Sequence, residues 1–338
     1  ATFPPSELEN TLNTPNLAKL FKADLATETL TEIFDFGRYE VVNNPDGGDV
    51  VSNPYDLAIK GDKAYVVDGG GNVSYEINLD GTGVIATALP RLIVENPEFP
   101  AGFGAPQVNP LGNGDEIEDA VDGGTPTGAP PAGAPPTTTD GQPEGRELPG
   151  LFQPVPGNPN AISIQSVSTG NAIGPDGALY VGEYTGFPYP EGKARIFRIG
   201  EDGVPKVYAE GFTQITDIEF DQDGNLLVLE FSDQAPWKGG DIRSQPSSLI
   251  EVAPDGTRTV LVAPGEGLES ADGISIGPDG SIYIANKAIG PNLGQIIRLD
   301  GLLRNNGKDV KSVPEPMSVV GLLVFGALGG SALKKKYQ

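Results

Sequence analysis

Four segments of this chain repeat one pattern, and the repeat limits the fold more than any other feature. They are "NPYDLAIKGDKAYVVDGGGNVSYEINLDGTGVIATAL" from Asn53, "STGNAIGPDGALYVGEYTGFPYPEGKARIFRIGEDGVPKVYAEGF" from Ser168, "QITDIEFDQDGNLLVLEF" continuing to "SSLIEVAPDGTRTVLVA" from Gln214, and "ADGISIGPDGSIYIANKAIGPNLGQIIRLDG" from Ala271. Each reads as short strand, Gly/Asp turn, β-branched or aromatic strand, loop and third strand; the first three add a further turn and a fourth strand. Gly supplies the positive φ that tight turns between paired strands demand. Four-stranded units at this spacing are the sequence signature of propeller blades. An all-β β-propeller is therefore expected, with blades at about 53–90, 166–212, 214–265 and 270–301.

The rest of the chain is organised around these units. "LAKLFKADLATETLTEIFDF" from Leu17 reads as the third and fourth strands of a blade, a half-blade over 17–40. The chain is thus expected to start in mid-blade, as a processed form or an incomplete sequence. Residues 98–160, with "GDEIEDAVDGGTPTGAPPAGAPPTTTDGQPEGRELPG", lack a periodic apolar pattern and read as a disordered Pro/Gly-rich insertion, either a plain solvated loop or a ligand lid. Gly 47 and Pro 32 in 338 residues lie well above the roughly 12% of average chains, as a turn-rich β architecture requires.

Composition also removes reaction classes. The chain has no His and no Cys, so it holds no Ser-His-Asp triad, no imidazole base, no thiol nucleophile and no His- or Cys-ligated metal. Any chemistry must use carboxylates, Lys, Tyr, hydroxyls or an oxygen-ligated cation. A net charge of −24 repels nucleic acid and anionic membranes.

The C-terminal segment 313–338, which follows a linker at 302–312, carries Val313, Pro314, Glu315 and Pro316, then an apolar run from Met317 to Leu333 and three lysines, Lys334 to Lys336. At about 1.5 Å per residue this run sits at the lower limit for a bilayer-spanning helix. The lysines would stay cytoplasmic and leave the acidic propeller outside. The segment resembles the PEP-CTERM sorting signal, which implies an exosortase as partner, export, and membrane contact through the C-terminal helix before processing. A plain single-span anchor is the alternative, and it exports the protein as well.

The blades carry a further resemblance. "VVNNPDGGDVVSNPYDLAI", "YVVDGGGN", "GPDGALYVGEYTGFPYPEGKARIFRI", "VYAEGFTQITDIEFDQDGNLLVLE" and "IEVAPDGTRTVL" look like the ScyD/ScyE family. These are exported NHL-like propellers named from the scytonemin pigment locus of cyanobacteria, and the likeness spans about Leu17 to Gly301. It implies a six-bladed propeller, export and a link to pigment biosynthesis or extracellular matrix. This chain departs from the pattern by lacking the opening blade and a half.

In a blade the start of strand one and the end of strand two share a face. Asp56, Asp217 and Asp272 at strand-one starts, with Asp68, Glu183, Glu230 and Asn286 at strand-two ends, are thus expected around one channel mouth. An all-oxygen set suits Ca²⁺ or a cationic ligand; the competing reading is that each side chain caps loop amides within its own blade. Asp46, Asp49 and Asn53 form a second candidate Ca²⁺ loop. Asp221, Asp223 and Asn225 imitate the first EF-hand ligands but lack Gly at position six and Glu at twelve, and "GFPYPEGKA" has the wrong spacing for a phosphate loop. Tyr184, Phe187 and Tyr189 would line a site for a planar ligand or simply pack. Three functions remain open: a ligand- or partner-binding propeller without catalytic residues, a divalent-metal propeller enzyme that hydrolyses lactones or couples aromatic precursors, and a structural matrix component.

Overall fold

The computed structural model describes residues 17–101, 152–289 and 292–303. The chain enters as an antiparallel hairpin, β1 (Lys19–Asp24) and β2 (Thr29–Asp35), followed by helix α1 (Phe36–Asn43). A four-stranded meander comes next: β3 (Pro54–Lys60), β4 (Lys63–Asp68), β5 (Val73–Asn78) and β6 (Ile85–Ala88). Strand β7 (Leu92–Glu95) pairs with β9 (Asn158–Ile164), which also pairs with β8 (Phe152–Val155). Two more four-stranded meanders are β10 (Ser168–Ile173) to β13 (Pro205–Phe212), with β11 (Leu179–Glu183) and β12 (Ala194–Ile199), and β14 (Ile215–Phe220) to β17 (Arg258–Val262), with β15 (Leu226–Glu230) and β16 (Ser248–Val252). The fourth repeat gives three strands, β18 (Gly273–Ile276), β19 (Ile282–Asn286) and β20 (Gln295–Leu299).

These meanders stack face to face with their first strands side by side, β3 against β10, β10 against β14 and β14 against β18. That is a propeller-like arrangement, and the sequence of strand two explains it. In "LLVLE", Leu226 and Val228 pack toward Tyr180, Ile196 and Phe212 of the preceding sheet, whereas Leu227 and Leu229 pack toward Ile274, Ile282 and Ile284 of the next. A strand buried on both faces loses the polar alternation of a surface strand, so it reads as a continuous apolar run. Val67 and Leu89 meet Leu179, Val181 and Phe197 across the preceding interface.

The repeated "GPDG" is one turn built twice. Gly174 N donates to Ala178 O and Gly177 N to Gly174 O, while Asp176 accepts the amide of Ala178. Gly277, Gly280, Asp279 and Ser281 make the same bonds. Gly177 (φ 78°) and Gly280 (φ 80°) occupy the left-handed position that a side chain disfavours. Asp221 serves the same turn, accepting from Asp223 N and Asn225 N.

Two sequence boundaries shift. The half-blade 17–40 ends as strand at Asp35, whose carboxylate accepts the Arg38 amide and starts α1; Phe36 is buried against Val66, Val73 and Tyr75. A side-chain cap switches the backbone from strand to helix within one residue. The irregular insertion 98–160 also ends earlier than expected, because β8 and part of β9 lie inside it. β8 pairs with β9 next to it in sequence, and β9 with the distant Leu92–Glu95, with Leu92, Val94, Ile162 and Ile164 forming a small core. Pairing at that sequence distance leaves no local pattern to read. Residues 102–151, and Val313 to Pro316 with the apolar run behind them, lie outside the described residues. Among the described residues no helix is long and apolar enough to cross a membrane.

Candidate functional site

The four strand-two ends behave alike. Asp68 accepts the amides of Asn53 (2.7 Å), Gly70 (3.0 Å) and Gly71 (2.9 Å) and the hydroxyl of Ser52 (2.5 Å). Glu183 accepts Ser166 Oγ (2.5 Å) and Arg195 through its backbone N (3.0 Å), Nε (2.6 Å) and Nη2 (2.9 Å). Glu230 accepts Thr213 N (2.7 Å) and Ser248 Oγ (2.6 Å), and Asn286 accepts Glu269 N (2.7 Å). Every one of these side chains is buried and ties the loop before strand one to the end of strand two. Burial lifts Glu183 and Glu230 above the ordinary carboxylate range against the pull of these bonds.

The strand-one carboxylates do something else. Asp56 accepts its own neighbour Leu57 N (2.7 Å) and, on the next sheet, Asn171 N (2.7 Å). Asp217 repeats this with Ile218 N (2.8 Å) and Ile274 N (2.8 Å). Both pin adjacent first strands together. Burial pushes Asp217 well above the ordinary range, with the nearby Asp56 charge adding to it, and burial raises Asp56 too. Glu219 rises by burial and by the same Asp56 charge. Asp272 instead accepts the hydroxyl of Tyr55, 38% exposed, whose pKa is raised by burial first and by Asp272 next.

Each of the seven side chains expected in the ring is thus engaged by the protein itself. Four of its members turn into their own loops, Asp56 and Asp217 join neighbouring sheets, and Asp272 holds Tyr55. The reason is the buried amides at strand ends, which need acceptors wherever chain direction changes. Among the described residues no three His, Cys, Asp or Glu side chains are grouped to hold a metal ion.

The aromatic patch is partly packing. Tyr184 lies on Phe231 and Tyr189 with ring centroids 5.8 and 5.9 Å apart, and Phe187 on Tyr189 and Phe99 at 5.8 Å each. Tyr189 also reaches a cleft of about 230 Å³. Pro97, Pro188, Pro190 and Trp237 supply its apolar walls, and Lys193 stands exposed at its edge. Trp237 is fixed by an Nε1 bond to Pro188 O (2.9 Å). Lys238 sits 5.2 Å from the Trp237 ring centroid and bridges Glu98 (2.5 Å) and Glu191 (3.0 Å). Sequence reasoning missed this cleft, although Trp237 is the single Trp of the chain and would have marked it.

Of the second candidate set, only Asp46 faces a buried cluster. It accepts Gly48 N (2.8 Å) and Asn72 Nδ2 (2.7 Å); Asp49 is exposed, and Asn53 contributes its backbone, donating to Asp68 and accepting from Gly69. The residue missed here is Glu40 on α1, a helix that begins inside the half-blade expected over 17–40. Burial, then the charges of Asp46 and Asp68, raises its pKa from 4.5 to about 7. The folded chain holds this proton more tightly than the unfolded chain, so the associated stability is present below about pH 4.5 and lost as pH rises towards 7. In chelator-containing buffer, wild type is expected to lose on the order of 2 kcal/mol across that window relative to Glu40→Gln. Chemical denaturation of both proteins at pH 4.5 and 8 measures the difference; parallel profiles would refute it.

No protein-family model and no curated relative matches the chain. Among solved structures, a gluconolactonase from Xanthomonas campestris is 17% identical with a TM-score of 0.29, over 41% of this chain and 48% of its own. The match thus spans less than half of that enzyme. A catalytically inactive virginiamycin B lyase from Staphylococcus aureus, bound to quinupristin, is 15% identical with a TM-score of 0.32, over 75% of this chain and 72% of its own. A chain of a nidogen/laminin complex is 14% identical with a TM-score of 0.37, over 85% of this chain and 74% of its own. The fold assignment rests on the sheet order and stacking, not on these weak likenesses.

Proposed function

We propose that the protein is an exported β-propeller of the ScyD/ScyE type that binds a small planar ligand without turning it over. The observation that carries the binding reading is the Tyr189–Trp237 cleft. Two aromatic side chains and three prolines offer flat apolar walls, and Lys193 offers a positive charge at the edge. Glu95, Glu98 and Glu191 line it as well, so the site suits one- or two-ring phenols or cationic aromatics, and its volume lies below the roughly 300–1,000 Å³ of drug-sized pockets. Export rests on the PEP-CTERM-like tail, with an exosortase as partner and anchoring or release at the envelope. The link to pigment precursors or matrix rests on the family resemblance. A metal-dependent hydrolase is less well supported, because the strand-end carboxylates are each engaged by a loop or a neighbouring strand.

The single Trp makes the test direct. Titrating phenols and cationic aromatics is expected to change Trp237 fluorescence saturably, and Tyr189→Ala to weaken binding about tenfold through lost stacking. No saturable change up to millimolar ligand, or equal affinity in the variant, would remove the cleft from consideration.

A further inference from the structure

Helix α1 places a carboxylate where nothing in the protein receives it. Glu40 is 1% exposed, and no hydrogen bond reaches either of its oxygens. The hydroxyl of Tyr75, 0% exposed, is also without a partner and lies within the field of Asp68, Glu40 and Asp46. Asn44, the C-cap of α1, buries an unpartnered Oδ1 on the same loop. Beside Glu40, a glycine leaves room. A Cβ on Gly71 would stand 3.3 Å from Oε2 of Glu40, 3.5 Å from the carbonyl oxygen of Val51 and 3.6 Å from Cγ of Asp68.

Orphaned buried oxygens of this kind are costly unless something electropositive joins them. Protonation of Glu40 supplies a single donor, too few for its own second oxygen and Asn44 Oδ1. Arg91 adds positive charge on the Asp46 and Asp49 side of the loop, tied to Ser163 by bonds of 3.1 and 2.9 Å, yet no donor reaches Glu40. The groups are carboxylate, amide, carbonyl and hydroxyl oxygens without nitrogen or sulfur, in an irregular array. That chemistry selects a hard cation tolerant of mixed oxygen ligands, Ca²⁺ rather than Mg²⁺, which demands near-octahedral order. Ca²⁺ sites complete their shells with carbonyls and water, so a three-acid cage is unnecessary.

We propose that Glu40 and the Val51 carbonyl, with the Tyr75 hydroxyl and the negative charges of the loop-bound Asp68 and Asp46 beside them, form a calcium-class site beside Gly71, between α1 and the first meander. It is independent of the aromatic cleft. A bound cation would fix α1 and the 44–53 loop against β4 and β5.

The test is CaCl₂ titration of the chelator-stripped full chain by calorimetry, with thermal melting alongside. One ion is expected to bind with a Kd of about 10⁻⁵–10⁻³ M and to raise the Tm by mass action. Glu40→Gln is expected to weaken binding at least about tenfold, while Asp49→Asn, in the same loop but exposed, leaves it within about twofold. Should Glu40→Gln fail to fold, Tyr75→Phe is read instead, with weaker binding expected. No uptake at about 10 mM CaCl₂, unchanged affinity in Glu40→Gln or Tyr75→Phe, or equal loss in Asp49→Asn would overturn the assignment.

Discussion

Alanine at position 170 is expected to unfold most of the protein, whereas alanine at position 273 is expected to be tolerated. Both glycines precede the amide that a neighbouring aspartate accepts, Asn171 for Asp56 and Ile274 for Asp217. Their surroundings differ. A Cβ on Gly170 would stand 2.6 Å from the amide nitrogen of Ile218 and closer still to Cα of Asp217, both backbone atoms of β14. Backbone cannot rotate away, so β10 and β14 must separate and the stacked faces between them must open. Overpacking of side chains typically costs about 1–3 kcal/mol, and a clash between main chains should exceed about 3 kcal/mol. A Cβ on Gly273 meets nothing nearer than Ala285 Cβ and Asp217 Oδ2 at 3.8 Å, which is ordinary contact. Its substitution should cost less than about 1 kcal/mol. Urea denaturation of both variants decides the matter; equal losses would show that the spacing of first strands is not set at Gly170.

Glu183→Ala is expected to cost about 3–5 kcal/mol, the range for removing one partner of a buried ion pair. The Glu183 side chain is 0% exposed and that of Arg195 13%, and the guanidinium would keep only the Pro90 carbonyl among the acceptors that now hold it. Ser166 Oγ and the Arg195 amide would lose their acceptor as well. Asn286 occupies the same place in the fourth repeat but carries no charge, so Asn286→Ala should cost about 1–2 kcal/mol. A double variant with Arg195→Met should recover part of the Glu183→Ala loss, because the stranded charge goes with its partner. A loss below about 1 kcal/mol for Glu183→Ala would mean that the carboxylate is not a structural tie, and would return it to the set available for a ligand. The prediction thus bears on function: it separates a side chain that holds a blade from one that waits for a metal.

Much of the architecture is legible locally. "IGPDGALYV" and "IGPDGSIYI" each contain a turn that closes on its own five residues, with Asp and Gly doing defined work, so pattern reading finds it. The apolar runs of strand two announce burial on both faces. In the small sheet, Phe152–Val155 and Asn158–Ile164 form a hairpin joined by two residues, but the pairing of Asn158–Ile164 with Leu92–Glu95 is invisible by the same route, because a long Pro- and Gly-rich stretch separates these partners. Helix α1 escaped because eight residues opened by a side-chain cap resemble a continuing strand in composition.

The site was less legible than the fold. That Asp68, Glu183, Glu230 and Asn286 stand at equivalent strand ends follows from spacing alone. Whether such a side chain faces a channel or its own loop depends on which buried donors lie within bonding distance, and apart from Gly70 and Gly71 beside Asp68 those belong to residues 12 to 18 positions away or on another sheet. The sequence by itself determined the repeat, its turns, its two-faced strands and the absence of His and Cys chemistry, because each depends on neighbours in the chain or on composition. Tertiary structure alone decided that the conspicuous acids are ties, that Trp237 meets Tyr189, and that Glu40 is buried beside Gly71 without a partner, because each depends on the stacking of distant segments.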